Sequence, residues 1–191
     1  MDFSPVALAT ARDLAQKAGL ADRVTFIESD VLLLDNVLHE QFDIIFTSYG
    51  VLGWLSDLYR WGEVVAKLLK PGGRFVIVEI HPTLMMLDWE DGKFTVKYGY
   101  FHCADGLELP PMPDYADNSY VPQAQTREWQ WSLADVFRSL KRAGLAVQNF
   151  EEYPLLCYKP YPHLVEAGPD MYRLPRRRPG NPLTFALDAS R

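Results

Sequence analysis

The chain of 191 residues has only two cysteines, Cys103 and Cys157, and four histidines, His39, His81, His102 and His163. Neither set shows a C-x-x-C or H-x-x-x-H spacing, so neither a disulfide framework nor a metal site is expected, and reduced thiols suit a cytoplasmic protein. Basic charge is also scarce. With 19 Lys plus Arg against 25 Asp plus Glu, the net charge is −6, which argues against a nucleic-acid partner. The one basic cluster, Arg176 to Arg178, lies in a proline-rich stretch where a solvated charge run is the simpler reading. Long apolar runs are missing too. Stretches such as Val31 to Leu34 are far too short to cross a bilayer, and Met1-Asp2-Phe3-Ser4-Pro5 lacks the pattern of a signal peptide. The expectation is a cytoplasmic chain with no membrane partner.

What is present is apolar material, 48% of the residues, with 23% charged. That is enough for a core and too little charge for disorder, so residues 1–191 are read as one domain. Ser4 as N-cap, Pro5 in the first turn and Gly19 at the end delimit an Ala-rich helix. Its apolar face is Ala7, Leu8, Ala11, Leu14, Ala15 and Ala18. Arg23 to Glu28 reads as a short strand with Asp30 at its exit, and Val31 to Glu40 as an ambiguous segment compatible with a short helix. Phe42 to Ser48 is almost continuously apolar, as in a strand covered on both faces. Ser56 to Lys70 reads as a second helix capped by Ser56 and ended by Pro71-Gly72-Gly73. Phe75 to Ile80 is a further buried strand.

Residues 82–131 change character to aromatic and polar, with Pro110-Pro111-Met112-Pro113 in the middle, and are read as an inserted cap of one or two hairpins. Ser132 to Ala143 is a third helix, with Asp135 placed to complete a capping box. Leu145 to Tyr153 and Leu183 to Ala189 are strands, joined by a proline-rich loop. Alternating strands and helices predict a mostly parallel sheet with helices on both faces. The last strand, reached without a helix, should be antiparallel. Ligands in such sheets bind outside the carboxyl ends of the strands, here Asp30, Thr47 to Gly50, and Glu79 to His81.

Asp2-Phe3-Ser4-Pro5 before an Ala-rich helix, Phe26 to Asp30 with Val31, Phe42 to Leu52, and Leu68-Leu69-Lys70-Pro71-Gly72-Gly73-Arg74-Phe75-Val76 together resemble the class I S-adenosylmethionine-dependent methyltransferase family. The resemblance covers residues 2 to about 80, and the Leu-Leu-Lys-Pro-Gly-Gly-Arg phrase is its most specific signal. It implies a Rossmann-like α/β methyltransferase sheet with the aromatic cap inserted, S-adenosylmethionine as cofactor, and methyl transfer to a small organic acceptor. Under it, Asp2 would take the ribose hydroxyls, Phe3 would cover the adenine, and Asp30 and Val31 would hold the adenine amino group and ring. Thr47, Ser48 and Tyr49 would lie between cofactor and acceptor. Tyr49 and His81 are the candidates to orient or deprotonate the acceptor.

Each of these residues has a plainer reading. Asp2 suits a frayed terminus, Asp30 a turn or helix cap, and Tyr49 simple packing. His81 suits a structural histidine, and the aromatics Trp89, Tyr98, Tyr100, Phe101, Tyr115, Tyr120, Trp129 and Trp131 suit the cap's own core, with a minority facing substrate.

The family's Gly-rich G-x-G-x-G loop is not in the sequence, and the chain opens at the exit of what would be the second strand. The expectation is a sheet truncated at the N-terminus, with one of three outcomes. An upstream segment belongs to the chain, another chain supplies the strands, or Arg23 to Glu28 pairs directly with Asp43 to Thr47. An exposed strand edge would favour a homodimer. The rival to the enzyme is therefore a non-catalytic domain acting by self-association or through a partner.

Overall fold

In the computed structural model, residues 1–111, 119–123, 125–161, 163–175 and 180–191 are described. The arginine cluster 176–178, Met112, Pro113 and Tyr115 lie outside them. The first helix, α1 (Pro5–Lys17), is capped as expected, with Ser4 Oγ accepting the Ala7 N–H. Only Leu8 of its apolar face is buried, and Leu14 is exposed.

Arg23 to Glu28 does not form the expected strand. Ala21–Arg23 make one 3-10 turn, and Glu28 forms an isolated parallel bridge with Asp2. Two hydrogen bonds fasten it: Asp2 N–H donates to the Ile27 carbonyl and Ser29 N–H to the Asp2 carbonyl. A 3-10 turn (Val31–Leu33) and the one-turn helix α2 (Leu34–Val37) follow. They are anchored by buried Asp35, which pairs with Arg60 and, at 2.9 Å, with Lys67.

Strand β1 (Phe42–Ser48) leads through a 3-10 turn (Leu52–Trp54) to α3 (Leu58–Leu68). Its cap is Asp57, which accepts the Arg60 N–H, and not the expected Ser56. Strand β2 (Leu69–Ile80) begins directly after it and runs through Pro71-Gly72-Gly73. That tripeptide bulges out of the ladder, since Phe42 pairs with Leu69 but Ile44 with Arg74. Gly73 is needed there, because a Cβ would stand 2.9 Å from the Lys70 carbonyl.

The short α4 (Pro82–Met85) opens the cap, which holds two hairpins, β3 (Leu87–Glu90) with β4 (Lys93–Val96) and β5 (Leu107–Leu109) with β6 (Thr126–Glu128). Helix α5 (Leu133–Arg142) carries the expected capping box of Ser132 and Asp135. Strand β7 (Ala146–Tyr153) follows, and then a hairpin, β8 (Val165–Gly168) with β9 (Met171–Arg173), sits where only loop was expected. Strand β10 (Thr184–Ser190) ends the fold.

The main sheet has the order β1-β2-β10-β7. β1 and β2 are parallel, and β10 is antiparallel to both β2 and β7. Three strands therefore point one way and the last points back, as expected of a Rossmann-like sheet. The predicted pairing of Arg23–Glu28 with Asp43–Thr47 does not occur. Ile27 and Ile45 instead each pack against a small cluster of Leu34, Val64 and Leu68. Among the described residues, β1 is an edge.

Among the described residues, helices cover one face of this sheet, correcting the expectation of two. Leu58, Trp61 and Val65 of α3 and Val136 and Leu140 of α5 pack on Phe75, Ile77, Phe185 and Leu187, with Trp61 and Phe75 edge to face at 5.4 Å. On the other face Ile44 and Phe46 are 66% and 59% exposed. Among the described residues no helix is long and apolar enough to cross a membrane.

Candidate functional site

The carboxyl ends of β1 and β2 are held together by one side chain. Strand periodicity puts Phe75, Ile77 and Glu79 on the helix-covered face, so Glu79 is buried beneath the turn that follows β1. Its carboxylate accepts four backbone N–H groups: Gly50 at 2.5 Å, Val51 at 2.8 Å, Leu52 at 3.1 Å and Ile80 at 2.7 Å. Such a clamp satisfies a buried carboxylate without a counter-ion and makes the turn rigid. Tyr49 enters that turn with φ of 34° and Gly50 with φ of 79°.

Against this edge stands the cap. A cavity of about 350 Å³ is bounded by Gly50, Gly53, Trp54 and Glu79 on the sheet side and by Glu128 and Trp129 on the cap side. A second cavity, of about 440 Å³, shares Met85, Glu128, Trp129, Gln130 and Tyr161 with it and extends under Tyr98 and Phe101. Trp129 N–H donates to the Gly53 carbonyl at 2.8 Å, pinning cap to turn. The size and apolar walls are those of a site for a small organic molecule.

The expected aromatic residues divide between wall and core. Tyr98, Phe101 and Trp129 line the cavities. Trp131, which also borders the smaller cavity, is buried, donates to the Leu55 carbonyl at 2.9 Å and stacks on His102. Trp89 stacks on His163 beside Phe94 and Tyr161. The Tyr100 hydroxyl accepts the Leu133 N–H, and Tyr120 is exposed.

Of the residues assigned to a cofactor, Asp2 and Asp30 are linked through the bridge at Glu28. Asp2 Oδ1 accepts the Ser4 N–H at 2.7 Å, and Asp30 Oδ1 accepts the Leu32 N–H at 2.8 Å. The second oxygen of each has no donor among the described residues. Phe3 is 76% exposed, and Val31 packs against the main core. Thr47 lies on the helix-covered face, where its Oγ1 is buried without a partner among the described residues. Ser48 points to the opposite, open face. Spare carboxylate oxygens, an uncovered aromatic ring and an orphaned hydroxyl fit a ligand that carries its own hydroxyl or amino groups.

The two catalytic candidates are not among the cavity-lining residues. The Tyr49 hydroxyl turns to Cys157 and Thr184, and burial and then the neighbouring Cys157 push its pKa up. His81 is buried, caps α4, and uses both ring nitrogens, on Thr83 and on Glu152. The sequence had pointed to neither Glu128 nor Gly53 as site residues. The signal for Glu128 was its place beside Trp129 in the cap, but nothing local distinguishes it from a surface carboxylate.

A mixed α/β sheet in which three of four strands share one direction, with ligand-sized cavities at their carboxyl edge, is the arrangement of a Rossmann-like enzyme. The family described as methyltransferase domain matches residues 1–136, and the chain belongs to it, as a class I S-adenosylmethionine-dependent methyltransferase. No curated protein matches at a significant level.

Among solved structures, an S-adenosylmethionine-dependent methyltransferase from Mesorhizobium loti is similar, with 23% identity, 99% of this chain and 77% of that one covered, and TM-score 0.58. The glycopeptide N-methyltransferase MtfA, complexed with S-adenosyl-L-methionine, shares 16% identity over 98% of this chain and 74% of its own, at TM-score 0.58. The [4+2]-cyclase SpnF shares 23% identity over 80% of this chain and 44% of its own, at TM-score 0.51. At these identities the likeness establishes the fold.

Proposed function

We propose that this chain transfers the methyl group of S-adenosylmethionine to a small organic acceptor bound beneath the cap. The observation that carries the reading is the pair of adjoining cavities, with five lining residues in common, between the Glu79-clamped turn and the aromatic cap, in a chain of the methyltransferase-domain family. The cofactor supplies a methyl group already activated on sulfonium sulfur, so the protein's task is chiefly placement and exclusion of water. Asp2 and Asp30 would hold the nucleoside with their free carboxylate oxygens, Phe3 and Val31 would contact its base, and Thr47 and Ser48 would stand nearest the transfer. The Gly50–Leu52 turn, fixed by Glu79, forms a rigid floor. Tyr49 and His81 act from behind that floor, as residues that orient the turn and the start of the cap.

Calorimetric titration with S-adenosylhomocysteine tests the cofactor site. Micromolar binding that Asp30→Ala loses supports the reading, and no binding by the folded chain ends it.

A second reading, association of two copies along β1, is favoured by the exposure of Ile44 and Phe46 on an edge strand.

A further inference from the structure

We infer that the cap cavity takes an amphipathic organic amine, and that Glu128 is the residue that recognises its ammonium group and receives the proton it must lose. The inference rests on the reading of the chain as a methyltransferase, since that makes the bound amine an acceptor.

Glu128 ends β6, half-buried, and belongs to the lining of both cavities. It therefore sits on the wall shared by the space beside the β1 turn and the space beneath the cap. Its neighbour on the sheet side is Gly53, and a Cβ there would stand 3.7 Å from Glu128 Oε2. No side-chain or backbone donor among the described residues bonds this carboxylate. The other charges around the larger cavity are already matched, Lys97 to Asp88 at 2.6 Å and to Glu90 at 3.0 Å. Glu128 is thus the cavity's unmatched charge among the described residues.

A carboxylate withdrawn from water without a partner is costly, and a ligand cation removes that cost. Burial pushes the Glu128 carboxyl up from its ordinary value, in the direction that suits a proton acceptor. The walls supply the rest of the specificity. Trp129, Tyr161, Tyr98 and Phe101 present ring surface to the apolar part of the ligand and favour a cation at its end.

An ammonium has no lone pair with which to attack, so its proton passes to Glu128 and from there to water. The nitrogen lone pair then forms the new N–C bond as the S–C bond of the sulfonium donor breaks and its electron pair returns to sulfur. An anionic acceptor of the same shape is repelled.

Tryptamine and indole-3-propionate are isosteric probes of opposite charge, and calorimetry on the full chain compares them. The expected result is that tryptamine binds and indole-3-propionate does not. Glu128→Gln should weaken tryptamine about tenfold, the effect of losing a hydrogen bond to a charged group. Tryptamine affinity in the unaltered chain should fall as pH is lowered and Glu128 protonates. Glu166→Gln, at an exposed carboxylate in β8, should change nothing, and equal melting temperatures confirm that both variants fold.

Equal binding of the two probes, binding of neither, or tryptamine binding unchanged by Glu128→Gln overturns the inference. S-adenosylhomocysteine binding is measured in the same samples. Its loss alongside intact, Glu128-dependent tryptamine binding would reject the methyltransferase reading while leaving the cavity as an amine site.

Discussion

The Nε2 of His81 lies 2.7 Å from Glu152 Oε1, while its Nδ1 accepts the Thr83 N–H at 3.2 Å. Because Nδ1 is the acceptor, the proton of the neutral ring sits on Nε2 and is donated to Glu152. Burial lowers the pKa of His81, and Glu152 opposes this only in part. A lowered value in the fold means that the unfolded chain binds the proton more readily. The neutral ring therefore contributes stability that is present above the ordinary value of 6.5 and is lost as pH falls through the lower value of the fold. Melting temperature measured against pH should decline on that acid limb, and His81→Asn, which retains a capping acceptor, should flatten it.

Glu79→Gln should leave the shape of the site intact while turning an amide NH₂ toward backbone donors. Hydrogen bonds to a charged group contribute about 1.5–3 kcal/mol each when lost, and four are involved here. A loss of about 3 kcal/mol in denaturant unfolding is expected, with faster amide exchange confined to Gly50, Val51 and Leu52. Unchanged exchange there would show that the turn holds without its clamp.

Gly62 lies where α3 crosses α5. A Cβ at that position would stand 2.5 Å from Ser139 Oγ and 3.1 Å from the Ser139 carbonyl, and Ser139 Oγ itself donates to the Leu58 carbonyl at 2.5 Å. Gly62→Ala should therefore destabilise by about 1–3 kcal/mol through overpacking, despite the better helix propensity of alanine. The double change Gly62→Ala with Ser139→Ala should recover part of that loss in urea unfolding.

If two copies pair along β1, light scattering behind size exclusion should show a dimer that Ile44→Lys with Phe46→Lys converts to monomer. Both side chains are mostly exposed, so the melting temperature of the monomer should change little. A monomer at high concentration before substitution would remove the association reading.

Local chemistry carried much of the architecture. Ser4 with Pro5, and Ser132 with Asp135, announce helix starts because their side chains satisfy backbone donors within three residues. The apolar runs at Phe42 to Ser48 and Phe75 to Ile80 both announced strands, but only the second is buried: the first was expected to be covered on both faces, and its Ile44 and Phe46 are mostly exposed. The cap's aromatic and polar composition announced hairpins. Arg23 to Glu28 had the alternation of a strand, but a strand exists only by pairing, and its neighbour here is a single residue, Asp2. The hairpin of β8 and β9 was hidden for the same reason, since its pairing is not written in either segment alone.

The site shows the same division. That the cavities would lie by the carboxyl ends of the strands followed from the order of elements, and Thr47 near the end of β1 was legible for that reason, whereas Asp2 and Asp30 flank only an isolated bridge at Glu28. Glu79 as a clamp, Glu128 as an unmatched charge and His81 as a cap with both nitrogens engaged depend on partners 27 to 71 residues away in sequence, or on the lack of any. The sequence alone determined where helices begin, which runs are apolar and which family the chain resembles, because those are properties of neighbours along the backbone. Which carboxylate is satisfied, which edge stays open and which rings face a cavity were decided by the tertiary structure, because burial and charge pairing are relations between residues that only folding brings together.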